Sequence, residues 1–205
     1  NFFSHLQVEI YLIFTKQHLI MDENRGNENP IILVTGGSGF LGKAIVNEIL
    51  DPTSPIKAKE IRVLDIKPFE GVNERKIHFI HADIQNFEEV RKACIGVDLV
   101  IHSAAIIDWG TKEEQEVLSI NFGGTENVIR ACQENNVGNL IFTSSLDAVY
   151  TGKSLVDVDE DQDYTIKAVN SYCKSKFLSE KRVIEANGPA LKTCILRPSD
   201  IYGEA

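Results

Sequence analysis

From Pro30 to the end of the chain, short apolar runs alternate with longer stretches whose apolar residues recur at helical spacing. The runs predict strands at Ile31 to Thr35, Glu60 to Asp65, Ile77 to Ala82, Leu99 to Ser103, Leu140 to Thr143 and Lys192 to Leu196. The stretches predict helices over Phe40 to Leu50, Phe87 to Cys94, Lys112 to Asn135 and Ser171 to Ala186. Strands that alternate singly with helices pair in parallel, and strands that are apolar along their whole length are covered on both faces. The pattern therefore predicts an α/β fold built on a doubly wound parallel sheet.

The pattern also divides the chain. Residues 30–205 read as one domain, and residues 1–29 as a leader and flexible linker outside the core. The leader "NFFSHLQVEIYLIFTKQHLI" is interrupted by Gln7, Glu9, Lys16 and Gln17, too often for a bilayer span, and it lacks the basic start and cleavage site of a signal peptide. It reads as an extension upstream of Met21, with a weak amphipathic membrane anchor as the alternative. The acidic run from Asp157 to Asp163 reads as a solvated loop.

Composition narrows the function. A chain of 205 residues with 43% hydrophobic content can bury one sizeable core. A net charge of -9 argues against nucleic-acid and anionic-membrane partners and leaves small-molecule chemistry. The four cysteines, Cys94, Cys132, Cys173 and Cys194, are widely spread without a C-x-x-C pair, so reduced thiols are expected, not disulfides or zinc ligands.

The candidate chemistry begins where the first strand runs into "TGGSGFLG". Gly36, Gly39 and Gly42 open a helix, and with Phe40 and Leu41 they form a turn whose backbone can approach a pyrophosphate at the helix start, where unpaired N–H groups and the helix dipole favour negative charge. The second strand ends on Asp65, placed to accept hydrogen bonds from ribose hydroxyls and to repel a 2'-phosphate, which favours NAD over NADP. Asp83 and Ile84 after the third strand are placed for adenine, and small Ala104 and Ala105 after the fourth allow a cofactor to lie on the strand end. His102 reads as a packed structural histidine.

The segment "SYCKSK" sets Tyr172 and Lys176 one helical turn apart, on one face. The fifth strand ends "FTSS", bringing Ser144 and Ser145 to the same sheet edge. A lysine ammonium and a cationic nicotinamide ring both favour the phenolate, so Tyr172 is the candidate acid/base, with Ser145 on the same substrate oxygen and Lys176 also on the nicotinamide ribose. Asn121 in "INFGGT" is a candidate for holding a proton-relaying water.

"TGGSGFLG", "SYCKSK" and "RPSDIYGEA" together resemble the extended short-chain dehydrogenase/reductases, Rossmann-type proteins, from Ile31 to Ala205. "VIHSAAIIDWG", "NFGGTENVIRAC", "FTSSLDAVYTG" and "CILRPSDIYGE" look most like the 3β-hydroxysteroid dehydrogenase/isomerase group. The resemblance implies NAD-dependent oxidation of a 3β-hydroxyl on a steroid or sterol. In it Ser145, Tyr172 and Lys176 match catalytic positions, the glycines, Asp65, Asp83 and Ile84 match cofactor positions, and Pro198 begins a loop over the nicotinamide. It also implies a cytoplasmic enzyme, compatible with a homodimer and with endoplasmic-reticulum association through anchors beyond Ala205. Members of the group continue past "IYGE" into a substrate-closing domain, so the chain reads as truncated at its C-terminal end. Two alternatives stay open: an NAD-binding fragment or regulatory module without turnover, and a related enzyme for a sterol 4α-carboxylate, a flavonoid ketone or a nucleotide sugar.

Overall fold

The computed structural model describes residues 29–72, 74–153, 159, 164 and 168–203. The leader at residues 1–28 and all of the acidic run except Asp159 lie outside them. Within them, successive residues of each strand point to opposite faces and the sequence fills both. On β1 (Ile31–Thr35), Ile32 and Val34 enter one core cluster and Leu33 the other. The same sorting splits Leu99 and Ile101 from Val100 on β4 (Leu99–His102), and Ile141 from Leu140 and Phe142 on β5 (Asn139–Thr143).

Among the described residues, β1, β4 and β5 join β2 (Glu60–Asp65), β3 (Ile77–His81) and β6 (Lys192–Leu196) in one parallel sheet ordered β3-β2-β1-β4-β5-β6. The order reverses between β1 and β4, and that switch point opens the crevice where doubly wound sheets bind ligands. Helix α1 (Phe40–Leu50) covers one face through Ile45, Val46 and Ile49. The other face is covered by α2 (Phe87–Ala93), α4 (Gly124–Glu134) and α5 (Ser171–Ala186), through Val90, Val128 and Val183 among others.

Two expectations change. The long helix over Lys112 to Asn135 is interrupted: α3 (Glu114–Leu118) passes through a π turn at Ser119–Gly123 into α4. The Asn121 amide inside that turn is tied to the Ile106 backbone, and a Cβ on Gly124 would stand 2.5 Å from Ile84, so the helix is held close against the strand ends. Edge strand β3 is not covered on both faces, since His78, Phe79 and His81 are exposed. The cysteines are free thiols, and Cys94, Cys132 and Cys173 are buried. Among the described residues no helix is long and apolar enough to cross a membrane.

Candidate active site

At the switch point the chain leaves β1 through Gly36, whose φ of +69° suits glycine, and whose N–H donates to Leu64 O at 2.8 Å. A Cβ on Gly36 would stand 2.7 Å from the Ala104 backbone, and one on Gly42 would stand 2.1 Å from Gly36 O. The glycines therefore let the loop lie directly on the end of β4. Helix α1 then begins at Phe40 without a side-chain cap, leaving first-turn N–H groups as an anion site.

A cavity of about 470 Å³ spreads from this loop along the strand ends. The loop residues Gly36, Gly39, Phe40, Leu41 and Gly42 line its start. Asp65 lines it from β2, Asp83 and Ile84 from the end of β3, and Ala104 and Ala105 from the end of β4. The Asp65 carboxylate accepts the N–H of Ser38 at 3.0 Å and of Lys67 at 2.9 Å, which fixes the loop and leaves lone pairs for a ribose. Asp83 accepts the Gln85 N–H at 2.9 Å, and Asn127 donates to Ile84 O at 2.9 Å and Gln85 O at 3.0 Å. An uncapped helix start, a carboxylate at the end of the adjacent strand and an apolar bed of Ile84 and alanines fit a dinucleotide.

The other half of the site stands at the ends of β5 and β6. Asn170 caps α5 by accepting the Cys173 N–H at 2.8 Å, which sets Tyr172 in the first turn. Tyr172 is 6% and Lys176 4% exposed. Lys176 Nζ donates to Thr143 O at 2.9 Å and lies 5.8 Å from the Tyr172 ring centroid. The Ser145 hydroxyl is close enough to the Tyr172 phenol to lower its pKa. It also donates to Asp147 at 3.1 Å and accepts the Asp147 N–H at 3.1 Å, capping the short turn Leu146–Val149. Pro198 O accepts the Leu146 N–H at 3.1 Å, so the segment after β6 holds this turn from behind. Among the described residues, Thr143 Oγ1 and Ser144 Oγ are buried without a partner. Ser145, Tyr172 and Lys176 are thus brought together at the same carboxyl edge of the sheet, outside the lining of the cavity.

The electrostatics correct one expectation. Burial pushes the Tyr172 phenol up to about 12, with Asp147 and Cys173 adding to the rise and only Ser145 opposing it. Burial also brings Lys176 down to about 8, against the pull of Glu180. The ammonium is bonded to Thr143, 5.8 Å from the ring centroid, and in the protein alone loss of water is the largest influence on the phenol.

Asn121 is 2% exposed and acts as a brace. Its amide donates to Ile106 O and to Ser175 Oγ, each at 2.9 Å, and accepts the Ile106 N–H at 2.8 Å. Both amide hydrogens bond protein, which leaves the second lone pair of the amide oxygen as the side chain's remaining hydrogen-bonding capacity. His102 is fully buried, with Thr35 Oγ1 at 2.7 Å from Nδ1 and Thr125 Oγ1 at 3.1 Å from Nε2. Thr125 donates its hydrogen to Asn121 O at 2.6 Å, which places the histidine proton on Nε2. One chain of bonds therefore runs from the end of β1 to the π turn.

Sequence reasoning missed four participants: Ser38, Asp147, Trp109 and Glu180. Trp109 packs on Tyr172 with ring centroids 6.4 Å apart. Glu180 is fully buried, paired with Arg197 at 2.8 Å and accepting the Tyr164 hydroxyl at 2.5 Å. Glu180 was readable, because it extends the spacing of Tyr172 and Lys176 by one more turn and so puts a carboxylate on the buried face.

The chain matches the 3-beta hydroxysteroid dehydrogenase/isomerase family over residues 33–205. It is 37% identical over 187 residues to a Monkeypox virus protein named 3 beta-hydroxysteroid dehydrogenase/Delta 5-->4-isomerase, covering 85% of this chain and 53% of that one. A 3-beta-hydroxysteroid dehydrogenase of Mycolicibacterium neoaurum is 36% identical over 179 residues, covering 84% of this chain and 48% of its own length. The chain thus spans about half the length of the curated relatives it matches. The UDP-Glc/GlcNAc 4-epimerase of Campylobacter jejuni superposes with a TM-score of 0.70 at 27% identity, over 82% of this chain and 53% of that one. The Thermus thermophilus UDP-glucose 4-epimerase in complex with NAD gives 0.67 at 25%, over 82% and 54%. By the extent of the family match and the identity of these relatives, this chain belongs to the 3-beta hydroxysteroid dehydrogenase/isomerase family.

Proposed function

We propose that residues 30–205 are the NAD-binding and proton-transferring part of an oxidoreductase that acts on the 3β-hydroxyl of a steroid or sterol. The observation that carries the reading is the convergence of Ser145, Tyr172 and Lys176 on the same sheet edge as a cavity whose lining fits a dinucleotide. The family and the names of the relatives support the substrate class.

NAD, when bound, supplies the hydride acceptor. The α1 N-terminus holds its phosphates, with Gly36, Gly39, Phe40, Leu41 and Gly42 letting them approach. Asp65 accepts ribose hydroxyls, Asp83 and Ile84 meet the adenine, and Ala104 and Ala105 leave room along the strand end. Tyr172 moves a proton to or from the substrate oxygen, Ser145 bonds the same oxygen, and Lys176 keeps a positive charge under the ring. Asn121 positions the loop after β4, and Pro198 supports the turn that carries Ser145. A buried phenol with a pKa near 12 donates readily to a carbonyl, and it becomes a base for an alcohol once positive charge is brought beside it.

Tyr172→Phe keeps the ring and removes the acid/base group. It should lower turnover of a 3β-hydroxysteroid by about 10²-fold to 10⁴-fold while NAD affinity, measured by calorimetry, stays within about twofold. Turnover near that of the wild type would overturn the assignment.

A further inference from the structure

Trp109 is the chain's single tryptophan and, at 73%, the most exposed large apolar side chain among the described residues. Its position is nevertheless fixed. The neighbouring Asp108 is only 2% exposed, and its carboxylate accepts the N–H of Gly110 at 2.9 Å and of Thr111 and Lys112 at 3.1 Å each, as well as the Thr111 hydroxyl. These bonds close the turn after β4 and hold the indole against the Tyr172 ring, 6.4 Å between centroids at a tilt of 47°. The indole is thereby placed beside the phenol while most of its surface is left to solvent. Two more apolar side chains stand out on the same edge: Ile107, 66% exposed and lining the far end of the cavity, and Leu146, 38% exposed and next to Ser145.

Large apolar groups kept in water by a built turn, around a proton-handling phenol, mark a surface that a ligand covers. The chemistry of that surface is specific in kind. It offers area, dispersion and an aromatic face around the hydroxyls of Ser145 and Tyr172 and the carboxylate of Asp147 that Ser145 bonds, so it suits a flat fused-ring alcohol.

We infer that Trp109 is a substrate-positioning residue whose open indole face receives the apolar ring bearing the reactive hydroxyl and sets that hydroxyl against Tyr172. The inference rests on the function proposed above. A residue of this kind acts on binding and alignment and not on the proton transferred, so its loss shows mainly in KM.

The test compares wild type, Trp109→Phe and Trp109→Ala in the NAD-saturated protein, with pregnenolone as the 3β-hydroxysteroid. Trp109→Ala should raise KM for the steroid at least tenfold with kcat changed less than about threefold, and Trp109→Phe should restore most of the loss. A second readout needs no turnover. In the Tyr172→Phe protein Trp109 is the sole source of indole fluorescence, so pregnenolone should change its emission at the same concentrations at which equilibrium dialysis shows the steroid binding. If wild type oxidises the steroid while Trp109→Ala keeps its KM within twofold, or if dialysis shows binding with unchanged emission, the positioning role is refuted and the proposed function stands. If wild type neither binds nor oxidises the steroid, the functional reading fails and this inference fails with it.

Discussion

Asp65 fixes the glycine loop and lines the cavity with one carboxylate. Its two oxygens already accept the N–H groups of Ser38 and Lys67, so it fixes the glycine turn before any ribose arrives. Replacing it with alanine removes an ionised acceptor and frees the turn. Asp65→Ala should weaken NAD by roughly 1.5 to 3 kcal/mol, the worth of a hydrogen bond to a charged group, and narrow the gap to NADP. Calorimetry on the wild type showing tighter NADP than NAD would overturn the preference. Asp65 was legible from its place at the end of a strand after a glycine turn, as Tyr172 and Lys176 were from their spacing, because those signals are local. Asp147 and Trp109 were not. They reach Tyr172 from the ends of β5 and β4, and no spacing in the sequence records which strand ends meet one helix.

At the scale of elements, α5 carries Tyr172, Lys176 and Glu180 on one buried face, and Glu180 ties it to the end of β6. The Arg197 side chain is 16% exposed and that of Glu180 0%, so the pair is largely dry. Arg197 bonds both Glu180 oxygens through Nε, at 3.0 and 3.1 Å, and one again through its terminal nitrogen at 2.8 Å. Breaking such a pair from one side strands a charge. Glu180→Gln should cost about 3 to 5 kcal/mol in denaturant unfolding, and adding Arg197→Met to it should recover part of that loss. A double variant no more stable than the single would show that the pair is not the source. The strands and α1, α2 and α5 were legible to within a residue or so, since apolar runs and caps determine them. The π turn was not, because the helical period continues through it and the interruption comes from tertiary bonds of Asn121 to the loop after β4.

For the whole molecule, a strong pH lever on the acid side is His102. Burial, with Lys176 nearby, lowers it to about 3 from an ordinary 6.5. The unfolded chain therefore binds the proton more readily, and stability is fully present above pH 6.5 and falls as pH drops towards 3. At about 1.4 kcal/mol per unit, the loss across that window is roughly 4 to 5 kcal/mol. His102→Gln, which keeps amide partners for Thr35 and Thr125, should flatten the fall in unfolding free energy between pH 7 and 4. Equal slopes in variant and wild type would assign the acid sensitivity elsewhere. The doubly wound class was legible from alternation alone, whereas the coverage of each face depended on which helices pack where, and β3 shows that an apolar run can still stand at an open edge.

The chain order of the site has a further consequence, in time. The residues proposed for phosphate, adenosine ribose and adenine all precede Ile106, and Ser145, Tyr172 and Lys176, proposed for proton transfer and the nicotinamide ribose, all follow Thr143. On a ribosome adding roughly 5 to 20 residues per second, the cofactor half leaves the exit tunnel seconds before Tyr172 is translated. Under the proposed function, the nascent protein has its nucleotide seat before its reactive groups, and a nucleotide captured at that stage can template the docking of the helix that carries Tyr172.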